Sequence, residues 1–281
     1  LIDVHTHLGG VKARFKSLKG MIYASEKDLL EYMDEVEIEA SVVLPVIKPR
    51  PEIGEDIAGA DRVLSVCQGY ERRLIPFCCV DPRETGASQR VRDYVGKGVK
   101  GYGEHKIELK VDNPESKEIY ALCGELGLPV LLHMDRVHNP DIEAFEKVVQ
   151  EYPETVFIAH GPGWWREVSA EVDKAVDYPK GKVVPGGRAD VMLREYRNVY
   201  GDISAGSGLN ALQRDPEFAE DFVARSWRKL LYGSDFPCLD GEGKQFGPDK
   251  LHLNLLKSLK LNDEVFQAIT GNNTRRLLRL R

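Results

Sequence analysis

The sequence lacks the features that would mark a disulfide-built, membrane-spanning or nucleic-acid-binding protein. Of its 281 residues only five are cysteine, an odd number, and the adjacent pair Cys78-Cys79 would face opposite sides of a strand. That argues against a disulfide framework. Cys67, Cys78, Cys79 and Cys123 read as small buried hydrophobes in a reducing compartment, and Cys238, beside a candidate active-site loop, has no adjacent base to activate it. No apolar run approaches the roughly 18 residues that a membrane span needs, and the first residues read as a core strand rather than a leader peptide. Acidic residues outnumber basic ones, for a net charge of −6, and the basic residues form no block that could follow a phosphate backbone. Nucleic acid and membrane are therefore poor partners. A Gly-x-Ser-x-Gly elbow is also missing, since Gly206-Ser207-Gly208 reads as a loop. The expectation is a soluble, cytoplasmic protein whose partner is a small molecule.

What the chain does have is a regular alternation of short apolar runs with longer amphipathic stretches, the pattern of repeated βα units. Strands are expected at 1–7, 41–47, 74–81, 99–105, 129–134, 156–160, 198–204 and 230–235. Helices are expected at 26–37, 56–69, 84–95, 116–126, 140–152 and 215–225, several opened by Ser, Asp or Asn caps, and at 249–259, 263–270 and 274–280 in the tail. Eight strands with intervening helices imply a single (β/α)8 barrel domain over 1–281. An open doubly wound sheet is second, because its usual Gly-rich phosphate turn after the first strand is replaced here by His5-Thr6-His7. Two connections break the regularity. The stretch 8–25 is long and basic, with Lys12, Arg14 and Lys16, and 161–197 is a long Gly-, Pro- and Trp-rich loop insertion that would shape a substrate pocket.

Alternate strand residues share a face, so His5 and His7 should project together. In a barrel, catalytic groups gather where strands end. The ends here carry His5 and His7, Glu104 and His105, His133, His160 and Asp235, so that five of the seven histidines fall at strand ends. Neutral imidazoles and carboxylates suit a divalent cation such as zinc, with iron, manganese or cobalt also compatible. His5, His7, His133 and Asp235 could form one such shell, and Asp235, at the edge of the metal, could take the proton of an activated water.

The segments Ile2-Asp3-Val4-His5-Thr6-His7, Val130-Leu131-Leu132-His133, Val156-Phe157-Ile158-Ala159-His160-Gly161, Leu230-Leu231-Tyr232-Gly233-Ser234-Asp235-Phe236-Pro237 and Gly271-Asn272-Asn273-Thr274-Arg275-Arg276-Leu277-Leu278 together resemble the amidohydrolase superfamily, in the amidohydrolase-related branch that includes the aminocarboxymuconate-semialdehyde decarboxylases. The resemblance implies a metal-binding barrel, with His160 as a second-metal ligand or a polariser of substrate, and a homodimer. It departs at the fourth strand. Gly103-Glu104 is similar to the Gly-Glu of TatD-type hydrolases, whose glutamate bridges two metals. That implies a binuclear hydrolase, with His5, His7 and Asp235 on one ion and His133 and His160 on the other. A one-metal, non-oxidative decarboxylase or hydratase of an unsaturated or aromatic acid is the alternative, and a metal-binding barrel with decayed activity is the non-enzymatic one.

Each remaining polar residue has a functional and an ordinary reading. His105 should face away from Glu104 and pack behind the barrel wall. Lys100 is either a carboxylated bridge or a plain lysine. Asp202 and Asp81 either orient imidazoles or cap the next helix. Arg136, His138 and Trp164, the last beside Trp165, are candidate substrate contacts.

Overall fold

The computed structural model describes residues 1–12, 21–47, 55–237 and 250–280. In chain order its strands are β1 (Ile2–Thr6), β2 (Gly9–Lys12), β3 (Met21–Ala24), β4 (Ala40–Val43), β5 (Glu55–Ile57), β6 (Leu74–Pro76), β7 (Tyr102–His105), β8 (Val130–His133), β9 (Phe157–His160), β10 (Val199–Asp202) and β11 (Leu230–Leu231). Two all-parallel groups, β1-β4-β6 and β11-β10-β9-β8-β7, account for the eight expected strands. Parallel bridges between Cys78 and Tyr102 and between Thr6 and Phe236 join the two groups. The second seam is reinforced by Val4 N–H donating to Tyr232 O at 2.9 Å and Asp235 N–H donating to His5 O at 2.9 Å. The result is a closed (β/α)8 barrel.

Buried on both faces, parallel strands need apolar residues at successive positions. Val4, Val42, Leu44, Ile75, Phe77, Leu131, Ile158 and Leu231 form one cluster, which Leu278 of the C-terminal segment joins. Leu131 and Ile158 lie two residues before His133 and His160, so a strand that buries its apolar residue inside the barrel carries the imidazole toward the C-terminal mouth. The larger cluster lies between strands and helices, where Met33, Phe145, Phe157, Phe222 and both Trp164 and Trp165 are essentially inaccessible.

The helices are α1 (Glu26–Val36), α2 (Ala60–Cys67), α3 (Ala87–Gly96), α4 (Pro114–Leu126), α5 (Ile142–Glu151), α6 (Pro162–Trp165), α7 (Arg188–Glu195), α8 (Ala205–Gln213), α9 (Pro216–Ser226), α10 (Leu251–Ser258), α11 (Asp263–Gln267) and α12 (Asn273–Leu277). Side-chain caps begin several of them. Ser25 and Asp28 form a reciprocal capping box on α1, and Asn113, Asp141, Asp215 and Asn262 cap α4, α5, α9 and α11. Each such cap contributes about 1 kcal/mol.

Three local expectations are corrected. The helix expected from 56 starts at Ala60, because β5 pairs antiparallel with β2, which also pairs with β3, in a small sheet following β1. The connection 161–197 is not one loop, since it holds α6, a 3-10 turn at Arg166–Val168 and α7. Gly206-Ser207-Gly208 lies in the first turns of α8 rather than in a loop. Arg14, Lys16 and Cys238 lie outside the described residues. Among the described residues no helix is long and apolar enough to cross a membrane.

Candidate metal centre

The strand ends converge as the alternation requires. His5 and His7 face each other with Nε2 atoms 3.1 Å apart, and Asp235 Oδ1 stands 3.3 Å from the first and 3.4 Å from the second. The protons of these rings can be assigned from their other nitrogens. His5 Nδ1 lies 2.6 Å from Asp202 Oδ2 and His7 Nδ1 lies 2.9 Å from the carbonyl oxygen of Leu44. A carboxylate and a carbonyl only accept, so in the neutral rings both Nδ1 atoms donate and both Nε2 atoms present lone pairs. Two imidazole lone pairs and a carboxylate oxygen thus point at one space, an arrangement that repels unless a cation fills it. A tetrahedral zinc ion with bonds of about 2.0–2.1 Å separates its donors by about 3.3–3.4 Å, close to the separations found. His5, His7 and Asp235 therefore fit a divalent cation.

A second group, Glu104, His133 and His160, also lies within coordinating reach. Glu104 stands between the two groups. Its Oε1 is 2.7 Å from His133 Nδ1 and its Oε2 is 3.6 Å from His7 Nε2. His160 Nδ1 is 3.1 Å from both Asp202 Oδ2 and Ser204 Oγ, and Ser204 Oγ–H donates to Asp202 at 2.8 Å. Asp202 thus orients the His5 ring directly and the His160 ring through Ser204 Oγ, while its Oδ1 accepts the Ser204 backbone N–H at 2.9 Å and braces the start of α8.

The charges follow from these contacts. With no cation bound, burial works to raise the Glu104 carboxyl, but a hydrogen bond from a protonated His133 and that ring's charge outweigh it and hold the group well below the usual carboxylate range. Asp202 and Asp235 are likewise lowered against the opposing effect of burial, the first by His160 and His5, the second chiefly by His5. Asp235 has a left-handed backbone, with φ of 62°, and its side chain is 23% exposed where that of His5 is wholly buried. It is the member of the first group that meets solvent. Beneath it Asp3, pushed up to about 7 by burial, accepts from Ser234 N and Oγ and from His5 N, tying β1 to the strand end that carries Asp235.

The other candidates separate clearly. His105 is buried behind the wall, against Tyr102 and Tyr120, and burial lowers it to about 3. Lys100 is exposed, and Asp81 grips Arg83 at 2.9 and 2.8 Å. Trp164 is a correction. It is completely buried, edge-on to Phe145 at 6.0 Å between centroids, because the first turn of α6 points it into the helix layer rather than the mouth. Arg136 is exposed and pairs with Asp177 at 2.8 Å. His138 stands beside the centre, its ring 5.9 Å from that of His133.

Sequence reasoning missed Asp135, whose Oδ2 lies 3.1 Å from His133 Nε2 and 2.9 Å from His138 Nδ1. The available signal was its place two residues after a strand-end histidine, on the mouth side of β8.

Comparison with known proteins agrees with this architecture. The chain resembles a probable 2-pyrone-4,6-dicarboxylic acid hydrolase from Acinetobacter baumannii, solved with citric acid bound, at 15% identity and a TM-score of 0.67, covering 99% of each chain. It resembles 2,6-dihydroxybenzoate decarboxylase from Rhizobium at 15% identity and a TM-score of 0.60, covering 99% of this chain and 98% of that one. It also resembles 5-carboxyvanillate decarboxylase from Sphingomonas paucimobilis at 13% identity and 0.59, covering 92% and 84%. At these identities the likeness establishes the fold. No curated protein matches the sequence. The amidohydrolase family model matches residues 2–280, and with the whole barrel covered the chain belongs to the amidohydrolase family.

Proposed function

We propose that the protein is a metal-dependent hydrolase that adds water across an amide, ester, lactone or related bond of a small polar substrate. The observation that carries this reading is the position of Glu104, with one oxygen toward His133 and the other toward His7. A carboxylate so placed suits a bridge between an ion held by His5, His7 and Asp235 and another held by His133 and His160, with zinc the first candidate and manganese or iron alternatives. Two divalent cations held there would supply Lewis-acid charge, to lower the pKa of a water and polarise the scissile carbonyl.

The chain's own residues supply the rest. Asp235, partly open to solvent, accepts the proton of the attacking water and returns it to the leaving group. Asp202 keeps the His5 and His160 rings in the orientation the ligands need. His160 faces either the second ion or the substrate oxygen. Arg136 and His138 line the rim after β8, and Arg136 must leave Asp177 before it can meet an anionic substrate group.

Mass spectrometry on protein purified without chelator or nickel tests this reading, with Glu104→Gln measured in parallel. Two ions per chain, falling toward one in the variant, are expected. One ion per chain, unchanged in the variant, would overturn it and favour the second reading, a one-metal decarboxylase or hydratase of an unsaturated or aromatic acid. The two aromatic-acid decarboxylases among the structural neighbours motivate that alternative.

A further inference from the structure

His133 stands between two carboxylates, with Nδ1 2.7 Å from Glu104 Oε1 and Nε2 3.1 Å from Asp135 Oδ2. A neutral imidazole has one proton to give. With the proton on Nδ1, the ring donates to Glu104 and has no lone pair to offer a cation on that side, while its Nε2 lone pair is set against Asp135. With the proton on Nε2, Asp135 accepts it, and the Nδ1 lone pair lies beside Glu104 Oε1 as a second donor for an ion shared with His160. The choice of tautomer decides whether the second group can bind.

We propose that Asp135 is a positioning residue that holds His133 in the Nε2-protonated form and thereby makes the second cation site. The inference rests on the binuclear reading above. The loop leaving β8 is arranged for this task. Asp135 Oδ1 accepts from the backbone N–H groups of Val137 at 2.7 Å and His138 at 2.6 Å, a turn that fixes the carboxylate. Its Oδ2 is left to accept from His133 Nε2 and, at 2.9 Å, from His138 Nδ1. The base of the loop is pinned in turn by Asn139, whose amide donates to the carbonyl oxygens of His133 at 2.9 Å and His105 at 2.6 Å. A carboxylate on the outer nitrogen of a metal-binding histidine fixes the ring and raises its basicity, and removing one typically costs 10–100-fold in metal affinity.

Asp135→Asn is the informative variant. Its Oδ1 can keep the turn, and its amide N–H2, placed against His133 Nε2, drives the ring proton to Nδ1. Calorimetric titration of metal-free protein with zinc is expected to show two ions bound by the wild type. Asp135→Asn should bind the first with unchanged affinity and the second about 10–100-fold more weakly, the loss also expected of Glu104→Gln. Asp135→Glu should restore most of the loss, and His138→Ala should keep both ions. Ring 15N shifts of His133 in the zinc-loaded protein, which distinguish a protonated nitrogen from one with a lone pair, should show the proton on Nε2 in the wild type.

Two full-affinity ions in Asp135→Asn would overturn the proposal, as would a wild-type His133 protonated on Nδ1. His133, Asp135 and His138 could themselves hold an ion, and a site lost in His138→Ala but kept in Glu104→Gln would assign the second ion there, overturning the proposal in another way. One ion in both wild type and Glu104→Gln would instead defeat the binuclear reading on which it rests. Should Asp135→Asn fail to fold, the wild-type 15N measurement still decides.

Discussion

The two halves of the candidate metal centre are held by different means. In the half made by His5, His7 and Asp235, the outer nitrogens of both rings are engaged by wholly interior acceptors, the buried Asp202 carboxylate and the Leu44 backbone oxygen. Those partners are part of the barrel wall, so the lone pairs converge whether or not an ion is present. In the half made by Glu104, His133 and His160, His133 has an acidic neighbour at each nitrogen, and its useful form depends on a side chain in the loop after β8. The first half is built into the strands and the second is conditional on the mouth. Preorganised donors bind more tightly because less ordering remains to be paid at binding, so the ions should differ in affinity, the first half holding the tighter one.

The largest effect should come from breaking the preorganised half. His5→Ala combined with His7→Ala is expected to lose the first ion and reduce turnover to background, and an active, fully metallated double variant would refute the assignment. Asp235→Asn is expected to keep most of the metal while kcat falls by about 10²–10⁴-fold, the usual contribution of a positioned acid–base group. Steady-state kinetics alongside metal analysis separate the two effects. A chelator sharpens the comparison further. Titration with increasing EDTA should remove one ion before the other, and the first to leave should be the one weakened by Glu104→Gln. Simultaneous loss of both would show that the halves are equivalent.

Smaller effects distinguish the mouth from the packed layer behind it. Trp164→Ala should destabilise the fold by about 3–5 kcal/mol, as large aromatic deletions do, with KM unchanged in protein that remains folded. A KM effect at full stability would return Trp164 to the pocket. His105→Phe should leave the metal content unaltered, and denaturant unfolding should move by less than about 1.5 kcal/mol, since a ring of similar shape replaces one whose Nε2 has no hydrogen-bond partner among the described residues and whose Nδ1 makes only a long contact, 3.3 Å, with the Tyr102 hydroxyl.

Glu104 and His105 show how far sequence reasoning reached. Strand alternation puts the two on opposite faces, and the structure places His105 among tyrosines and Glu104 against His133. The barrel itself was readable because apolar runs recur with the spacing of βα units. The first residues of the helix expected from 56 were misassigned, because pairing of β5 with β2 depends on a partner distant in the chain. Trp164 was misplaced for a related reason, since a short helix inside 161–197 decides which way the ring turns.

By itself the sequence determined the barrel, the convergence of His5, His7, Glu104, His133, His160 and Asp235 at one mouth, and the donor atoms they bring there, because period, strand ends and side-chain chemistry are local properties. Only the tertiary structure decided which nitrogen of His5 and of His7 is free. That depends on acceptors brought from elsewhere in the chain, Asp202 to His5 across 197 residues and Leu44 to His7 across 37. A proton's place on a ring is set by what lies on its far side, and folding alone brings those groups together.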